Sequence, residues 1–264
     1  MYYFGKSDIG KKRQTNQDTF HIMRFCDNVT LFVLCDGMGG TNGGNIASGL
    51  AVKAFCEFVE TEVLTYTDEE TDICDAKKID FRELITEAVS SANAAIYKRA
   101  RESTDLTNMG TTLVCALFVD KALYIANVGD SRLYLLEGGE ISALTHDHSY
   151  VQMLVDMGQI TKEEAATNPR RNILTRAVGT EPNVETDVIE RESPGESSYI
   201  CLCSDGLYNF MSEAQMKEII LGVSDEYDDD DFDAELSTKT KELIDLANSN
   251  GGGDNITIIL IKIV

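Results

Sequence analysis

The chain reads as a layered α+β protein, with helices packed outside antiparallel sheets. Three observations predict this class. Short apolar runs rich in β-branched and aromatic residues recur along the sequence. Two of them are separated by only three residues. The longest helical segments follow one another instead of alternating with single strands.

The expected strands are residues 30–35, 112–119, 123–128, 132–136, 199–203 and 256–264. Asp120-Lys121-Ala122 separates the second from the third, which predicts a hairpin and therefore antiparallel pairing. Helical spacing is clearest over 44–66 and 80–101. In the second, Phe81, Leu84, Ile85, Ala88, Ala92, Ala95 and Ile96 fall on one stripe. Shorter helices are expected at 148–157, 212–221 and 233–248. Residues 224–233 carry a dense run of acidic side chains that repel one another. A solvated loop is the first reading of that run, and a cation-binding or partner-docking loop the second. No repeat and no domain boundary stands out, so a single domain over 1–264 is expected.

Composition narrows the class. Of 264 residues, 43% are hydrophobic, enough for a substantial core, and 26% are charged. Lys and Arg number 23 against 45 Asp and Glu, a formal charge of −22. Such a field repels nucleic acid and anionic lipid and favours divalent cations and basic partners, although solubility alone also accounts for it. The 7 cysteines are scattered without a Cys-x-x-Cys pair. A reduced, cytoplasmic protein is expected. Residues 1–10 contain no apolar stretch like a signal peptide, and nothing approaches the roughly 18 apolar residues of a membrane span.

Four short motifs put Asp beside Gly at a probable strand end: Asp36-Gly37, Gly129-Asp130, Asp205-Gly206 and Gly253-Asp254. One such pair is an ordinary turn. Four of them suggest carboxylates gathered at a sheet edge, where glycine lets the backbone turn sharply and approach a ligand. Carboxylates brought together repel, so a positive group must hold them. Oxygen ligands without a Cys or His cluster select Mg²⁺ or Mn²⁺ over Zn²⁺. Two such ions about 4 Å apart activate water and orient a phosphoryl group.

These residues resemble a family. Ser7-Asp8-Ile9-Gly10-Lys11-Lys12-Arg13-Gln14-Thr15-Asn16-Gln17-Asp18 is similar to the opening motif of the type 2C metal-dependent Ser/Thr protein phosphatases, in their bacterial form. Asp36-Gly37-Met38-Gly39-Gly40 followed by Ala47-Ser48, Met109-Gly110-Thr111-Thr112, and Asn127-Val128-Gly129-Asp130-Ser131-Arg132 continue the series in order. Leu144-Thr145-His146-Asp147-His148-Ser149, Cys203-Ser204-Asp205-Gly206-Leu207 and Gly253-Asp254-Asn255-Ile256-Thr257 complete it. The resemblance runs from about residue 4 to the C-terminus.

The resemblance implies a central β-sandwich of two antiparallel sheets flanked by helix pairs, with metals in a cleft at one end. It implies that Asp36 bridges two ions, Mn²⁺ or Mg²⁺. The Gly37 carbonyl then binds one of them, and Asp205 and Asp254 the other. Asp130 and Asp205 would share a third, weaker ion, and Asp18 would act through metal-bound water. Arg13 matches the arginine that grips the substrate phosphate, which suits a guanidinium fork. The implied reaction is in-line attack on phosphoserine or phosphothreonine by a metal-bridging hydroxide. Arg13 and the metals answer the electrostatic problem of an acidic protein with an anionic substrate, since ordinary salt screens charge beyond about 8 Å.

Two positions depart from some relatives. Met38 stands where they have a His proposed to protonate the leaving alkoxide. Gln17 stands where they have Glu, and its neutrality is expected to loosen a metal site. His146 and His148 flank Asp147, which is expected to cap the following helix; the histidines themselves suit a surface or packing role. Residues 145–190 would form the family's variable flap, with Arg170, Arg171 and Arg176 as a basic cluster able to meet an acidic phosphopeptide or simply to serve as surface charge. The expected setting is bacterial cytoplasm, with phosphorylated proteins as substrates, an opposing Ser/Thr kinase, no nucleic acid, no membrane and a monomeric state. A non-catalytic binding module of the same fold and a two-metal nuclease are the rival readings. The first predicts missing metal aspartates, and the second a basic stripe, which the chain lacks.

Overall fold

The computed structural model describes residues 1–222 and 231–264. In chain order the strands are β1 (Tyr2–Asp8), β2 (Asp18–Cys26), β3 (Val29–Met38), β4 (Thr67–Asp68), β5 (Ile73–Cys74), β6 (Gly110–Thr111), β7 (Leu113–Val119), β8 (Ala122–Val128), β9 (Arg132–Glu137), β10 (Glu140–Ala143), β11 (Asp187–Glu192), β12 (Tyr199–Cys203) and β13 (Ile256–Lys262). The helices are α1 (Gly40–Thr65), α2 (Phe81–Ala100), α3 (Tyr150–Asp156), α4 (Lys162–Ala166), α5 (Asp205–Tyr208), α6 (Glu213–Leu221) and α7 (Phe232–Ser249).

Two antiparallel sheets face each other. One runs β1-β13-β12-β9-β10, the other β11-β8-β7-β3-β2, with β6 paired to the end of β3. Strand residues alternate between two cores. Phe32 and Leu34 of β3, Val114 and Phe118 of β7, Ile200 and Leu202 of β12, and Ile259 and Ile261 of β13 fill the space between the sheets. Their neighbours Leu31, Val33, Cys115 and Leu117 point outward into a core shared with α1 and α2. Cys201, Cys203, Ile258 and Leu260 point the other way, into a core shared with α5, α6 and α7. The result is a β-sandwich between helical layers, the α+β arrangement expected. Each fully buried Leu, Ile or Phe contributes about 1.5–3 kcal/mol, so the three cores dominate the fold energetically.

This burial explains which strands are legible in the sequence. The central strands β3, β7, β12 and β13 are covered on both faces and read as continuous apolar runs. The edge strands β1, β2, β10 and β11 carry mixed polar residues and show no such run. The expected hairpin joins β7 to β8 with Val119 opposite Ala122, so the loop is only Asp120-Lys121, and Asp120 takes φ 52°. On α2 every residue of the expected stripe is buried except the half-buried Ala95. Its N-cap is Asp80, whose carboxylate accepts from the Arg82 and Glu83 amides.

One cap differs from expectation. Ser149, and not Asp147, caps α3 by accepting from the Gln152 amide. Asp147 is instead engaged by Arg132. The acidic run at 224–233 lies outside the described residues up to 230. Its final part opens α7, where Asp231 accepts from the Ala234 amide. All 7 cysteines are buried and free. Among the described residues, no helix is long and apolar enough to cross a membrane.

Candidate active site

The strand ends converge at one end of the sandwich. Asp36 lies near the end of β3, Asp130 follows β8, Asp205 opens α5 shortly after β12, and Asp254 precedes β13. Asp18 begins β2 and lies in register opposite Asp36. Arg13 comes from the loop between β1 and β2. Arg13, Asp36, Gly37, Asp130, Asp205 and Asp254 line a single cleft of about 430 Å³, together with Gln17, Met38, Asn172, Leu174 and Asn255. Of the expected site residues, only Asp18 is absent from the lining; it sits beneath the cleft floor.

Close backbone approach builds the floor. A Cβ at Gly37 would lie 2.1 Å from the Gly44 carbonyl oxygen and 2.7 Å from that of Gln17. A Cβ at Gly206 would lie 1.9 Å from the Asn255 carbonyl oxygen. Glycine at these two positions therefore lets β3 press onto the start of α1, and α5 onto the loop before β13.

Asp18 is held from below. Its Oδ2 accepts from Ser204 Oγ at 2.8 Å and Thr257 Oγ1 at 2.6 Å. Asn255 stitches the Arg13 loop to the Asp254 loop, accepting from the Gln17 amide at 2.8 Å and donating to the carbonyls of Ile9 and Thr15. Arg13 itself reaches Asp254 Oδ2 at 2.6 Å.

Burial and mutual repulsion govern the acidic groups. Asp36 and Asp205 are driven well above the usual carboxylate range. Burial is the chief cause, with Asp18, Asp205, Asp130 and Asp254 adding around Asp36, and Asp130, Asp254 and Asp18 adding around Asp205. Burial also lifts Asp18 to about 6, against the hydroxyls of Thr257 and Ser204. It lifts Asp130 to about 7, with Asp147 adding and Arg132 opposing. Asp18 Oδ1 and Asp205 Oδ1 are buried without a hydrogen-bond partner.

Carboxylates so placed fit divalent cations, whose charge would offset the repulsion and whose coordination or bound water would engage the orphan oxygens. Among the described residues, no three His, Cys, Asp or Glu side chains close into a ready metal cage. Small hard ions do not require one, because each keeps several waters and takes one or two carboxylates.

Of the residues around Asp130, sequence reasoning singles out Asp147 alone, and as a helix cap. Arg132 holds Asp147 at 2.9 and 2.7 Å, donates to Tyr134 Oη at 2.8 Å, and lies 3.7 Å above the Tyr208 ring. Tyr208 Oη donates to the Asp130 carbonyl at 3.0 Å. Arg132 and Asp147 stand inside motifs quoted for their neighbours. Ser204 and Thr257 do too, but their shared target appears only when β12 lies beside β13. Tyr208 carries no sequence signal beyond its place three residues after Asp205.

The two histidines part company. His146 is exposed and pairs with Asp156 at 2.9 Å. His148 is buried, accepts from the Gly129 amide on Nδ1 at 3.0 Å, and meets Asp187 through Nε2 at 3.1 Å. Arg176 is committed to Asp187 at 2.6 Å and Glu185 at 3.3 Å. The basic cluster thus contributes less free charge than its sequence suggests.

Known proteins are similar to this chain in sequence and in fold. A family model described as protein phosphatase 2C matches residues 5–239. The chain is 36% identical over 259 residues to the serine/threonine phosphatase Stp of Listeria monocytogenes, covering 97% of this chain and 94% of that one. The crystal structure of the serine/threonine phosphatase PstP/Ppp of Mycobacterium tuberculosis superposes with a TM-score of 0.82 at 32% identity, covering 99% of this chain and 98% of that chain. A structure of the catalytic domain of serine threonine protein phosphatase PstP, in complex with 2 manganese ions, gives a TM-score of 0.80 at 32% identity, covering 100% of this chain and 98% of that chain.

Proposed function

The chain belongs to the protein phosphatase 2C family, and on that premise we propose that it is a metal-dependent phosphatase acting on phosphoserine and phosphothreonine in proteins. The observation that carries the reading is the convergence of Asp36, Asp130, Asp205 and Asp254 with one guanidinium, that of Arg13, on a single cleft. A structural relative that holds two manganese ions supports the choice of cofactor.

Asp36, the Gly37 carbonyl, Asp205 and Asp254 would hold two ions, Mn²⁺ or Mg²⁺. Asp130 with Asp205 would hold a third, weaker one, and Asp18 would act on them through water. When bound, these ions supply Lewis acidity that activates water and charge that balances the phosphoryl oxygens.

The chain's own residues do the rest. Arg13, half exposed at the cleft mouth, places its fork against the phosphate and orients it for in-line attack. Ser204 and Thr257 donate to Asp18 and so favour its ionised form against the effect of burial. Asn255 fixes the Arg13 loop against the Asp254 loop. Met38 lines the cleft but carries no transferable proton, so the proton for the leaving alkoxide comes from water or from another group.

Residues 1–264 act as one catalytic domain in this reading, and 145–190 as a flap whose Asn172 and Leu174 face the cleft. Its substrates are phosphorylated proteins, it opposes a Ser/Thr kinase in bacterial cytoplasm, and it works as a monomer. The test is turnover of a phosphothreonine peptide with Mn²⁺. Activity that disappears in Asp36→Asn and Asp205→Asn is expected; no turnover, or turnover indifferent to both substitutions, ends the reading.

A further inference from the structure

Asp130 and Asp205 come from different layers of the chain. Asp130 sits in the loop between β8 and β9, and Asp205 on α5. One side chain spans the two. Tyr208 is the last residue of α5, and its hydroxyl donates to the Asp130 main-chain carbonyl at 3.0 Å. The ring is pinned by the Arg132 guanidinium stacked 3.7 Å from its centre. That guanidinium is itself locked by the two-point pair with Asp147, whose side chain is 10% exposed. Such a stack, partly buried and held on its far side by an ion pair, leaves the phenol little freedom.

We infer that Tyr208 is a positioning residue that sets the separation of Asp130 from Asp205 and thereby the affinity of the site these two share. The inference rests on the reading above that this pair holds the weakest ion. The mechanism is geometric. Asp205 and Tyr208 share one short helical turn, so a bond from Tyr208 to the Asp130 backbone fixes one carboxylate relative to the other. Ions that demand near-ideal geometry reward a preset spacing and lose affinity when the protein must find it on binding. The Tyr208 hydroxyl bonds to none of Asp36, the Gly37 carbonyl and Asp254. Asp205, the remaining ligand of the stronger positions, is carried by α5 itself whether or not that bond forms, so the bond bears chiefly on the position that needs Asp130.

The experiment is calorimetric titration of Mn²⁺ into the full chain and into Tyr208→Phe, which keeps the ring under Arg132 and removes only the hydroxyl. The expected result is a weakest phase weakened about 3- to 10-fold, the factor that one neutral hydrogen bond is worth. The stronger phases stay unchanged, and so does the thermal midpoint to within about 3 °C. Adding Tyr208→Phe to Asp130→Ala changes nothing further. Asp147→Asn, which loosens the stacked guanidinium and leaves the hydroxyl in place, weakens the same phase to a smaller degree. A Tyr208→Phe isotherm superimposable on the parent, or one in which every phase weakens together as a general structural defect would cause, overturns the inference. A parent protein that takes up no Mn²⁺ overturns the metal reading instead.

Discussion

Arg13 and Asp254, 241 positions apart in sequence, form an ion pair at 2.6 Å across the mouth of the cleft. The group proposed to grip phosphate is thereby held by a group proposed to bind metal. Arg13→Ala is expected to lower kcat/KM for a phosphothreonine peptide about 10- to 100-fold, mostly through a higher KM, because a charge-assisted contact to the substrate is lost. Arg13→Lys recovers part of the loss, since a point charge lacks the two-point fork. Steady-state kinetics on the three proteins decide it; an unchanged KM in Arg13→Ala removes the phosphate role.

Asp36 sits among Asp18, Asp205, Asp130 and Asp254, so its charge is costly to the metal-free fold, while the proposed role as a metal ligand requires it. Asp36→Asn should therefore act in opposite directions on the two. Turnover with Mn²⁺ falls at least about 100-fold, because direct ligands matter more than the groups around them. The thermal midpoint in chelator rises by about 3 °C, the shift that ~1 kcal/mol produces in a chain of this size. Thermal melts in EDTA test this, and a lower midpoint contradicts the repulsion.

Glu235 on α7 supplies a pH dependence away from the cleft. It pairs with Lys239 at 2.9 Å and Lys262 at 2.5 Å and accepts from Tyr199 Oη, while Lys239 also donates to the Ile220 carbonyl. Burial alone would raise its pKa, but these partners outweigh burial and hold it below its ordinary value of 4.5. The unfolded chain then binds more protons between the two values. The stabilisation is complete above about pH 4.5 and is lost as the pH falls through the folded value. Glu235→Ala strands the buried Lys239 and should cost about 3–5 kcal/mol at neutral pH. The gap to the parent narrows in acid. Urea melts at pH 7 and pH 3.5 measure it; a gap that widens in acid reverses the assignment.

Gly206→Ala should displace α5, because the added Cβ meets the Asn255 carbonyl oxygen at 1.9 Å. The strain is expected to lower stability by about 1–3 kcal/mol. It also shifts Asp205 against Asp254 and costs activity beyond the loss of folded protein. Activity normalised to the folded fraction separates the two effects, and full specific activity would show that α5 can move without harm.

The legible parts of this protein share a physical cause. β3, β7, β12 and β13 were readable because both faces are buried, and α2 because its stripe packs on one sheet only. The edge strands β1, β2 and β11 were not, since half of each faces water and the pairing partner supplies what local pattern lacks. Asp147 misled for a related reason. Its position before a helix suggests a cap, yet a guanidinium from β9 captures it, and Ser149, two residues on, takes the capping role.

By itself the sequence determined the chemical inventory: aspartates beside glycines at strand ends, an arginine in the opening motif, Met38 in place of a proton donor, and a strongly acidic balance. It also determined the layered class, because alternation and apolar runs are local properties. The tertiary structure decided what those groups do to one another. Asp18 is braced by the hydroxyls of Ser204, just after β12, and Thr257 of β13, Tyr208 reaches the Asp130 backbone, Arg176 is spent on Asp187, and His148 is buried while His146 is not. Such relations depend on which strands become neighbours, and strand pairing over 200 residues of separation leaves no mark on any short stretch of chain.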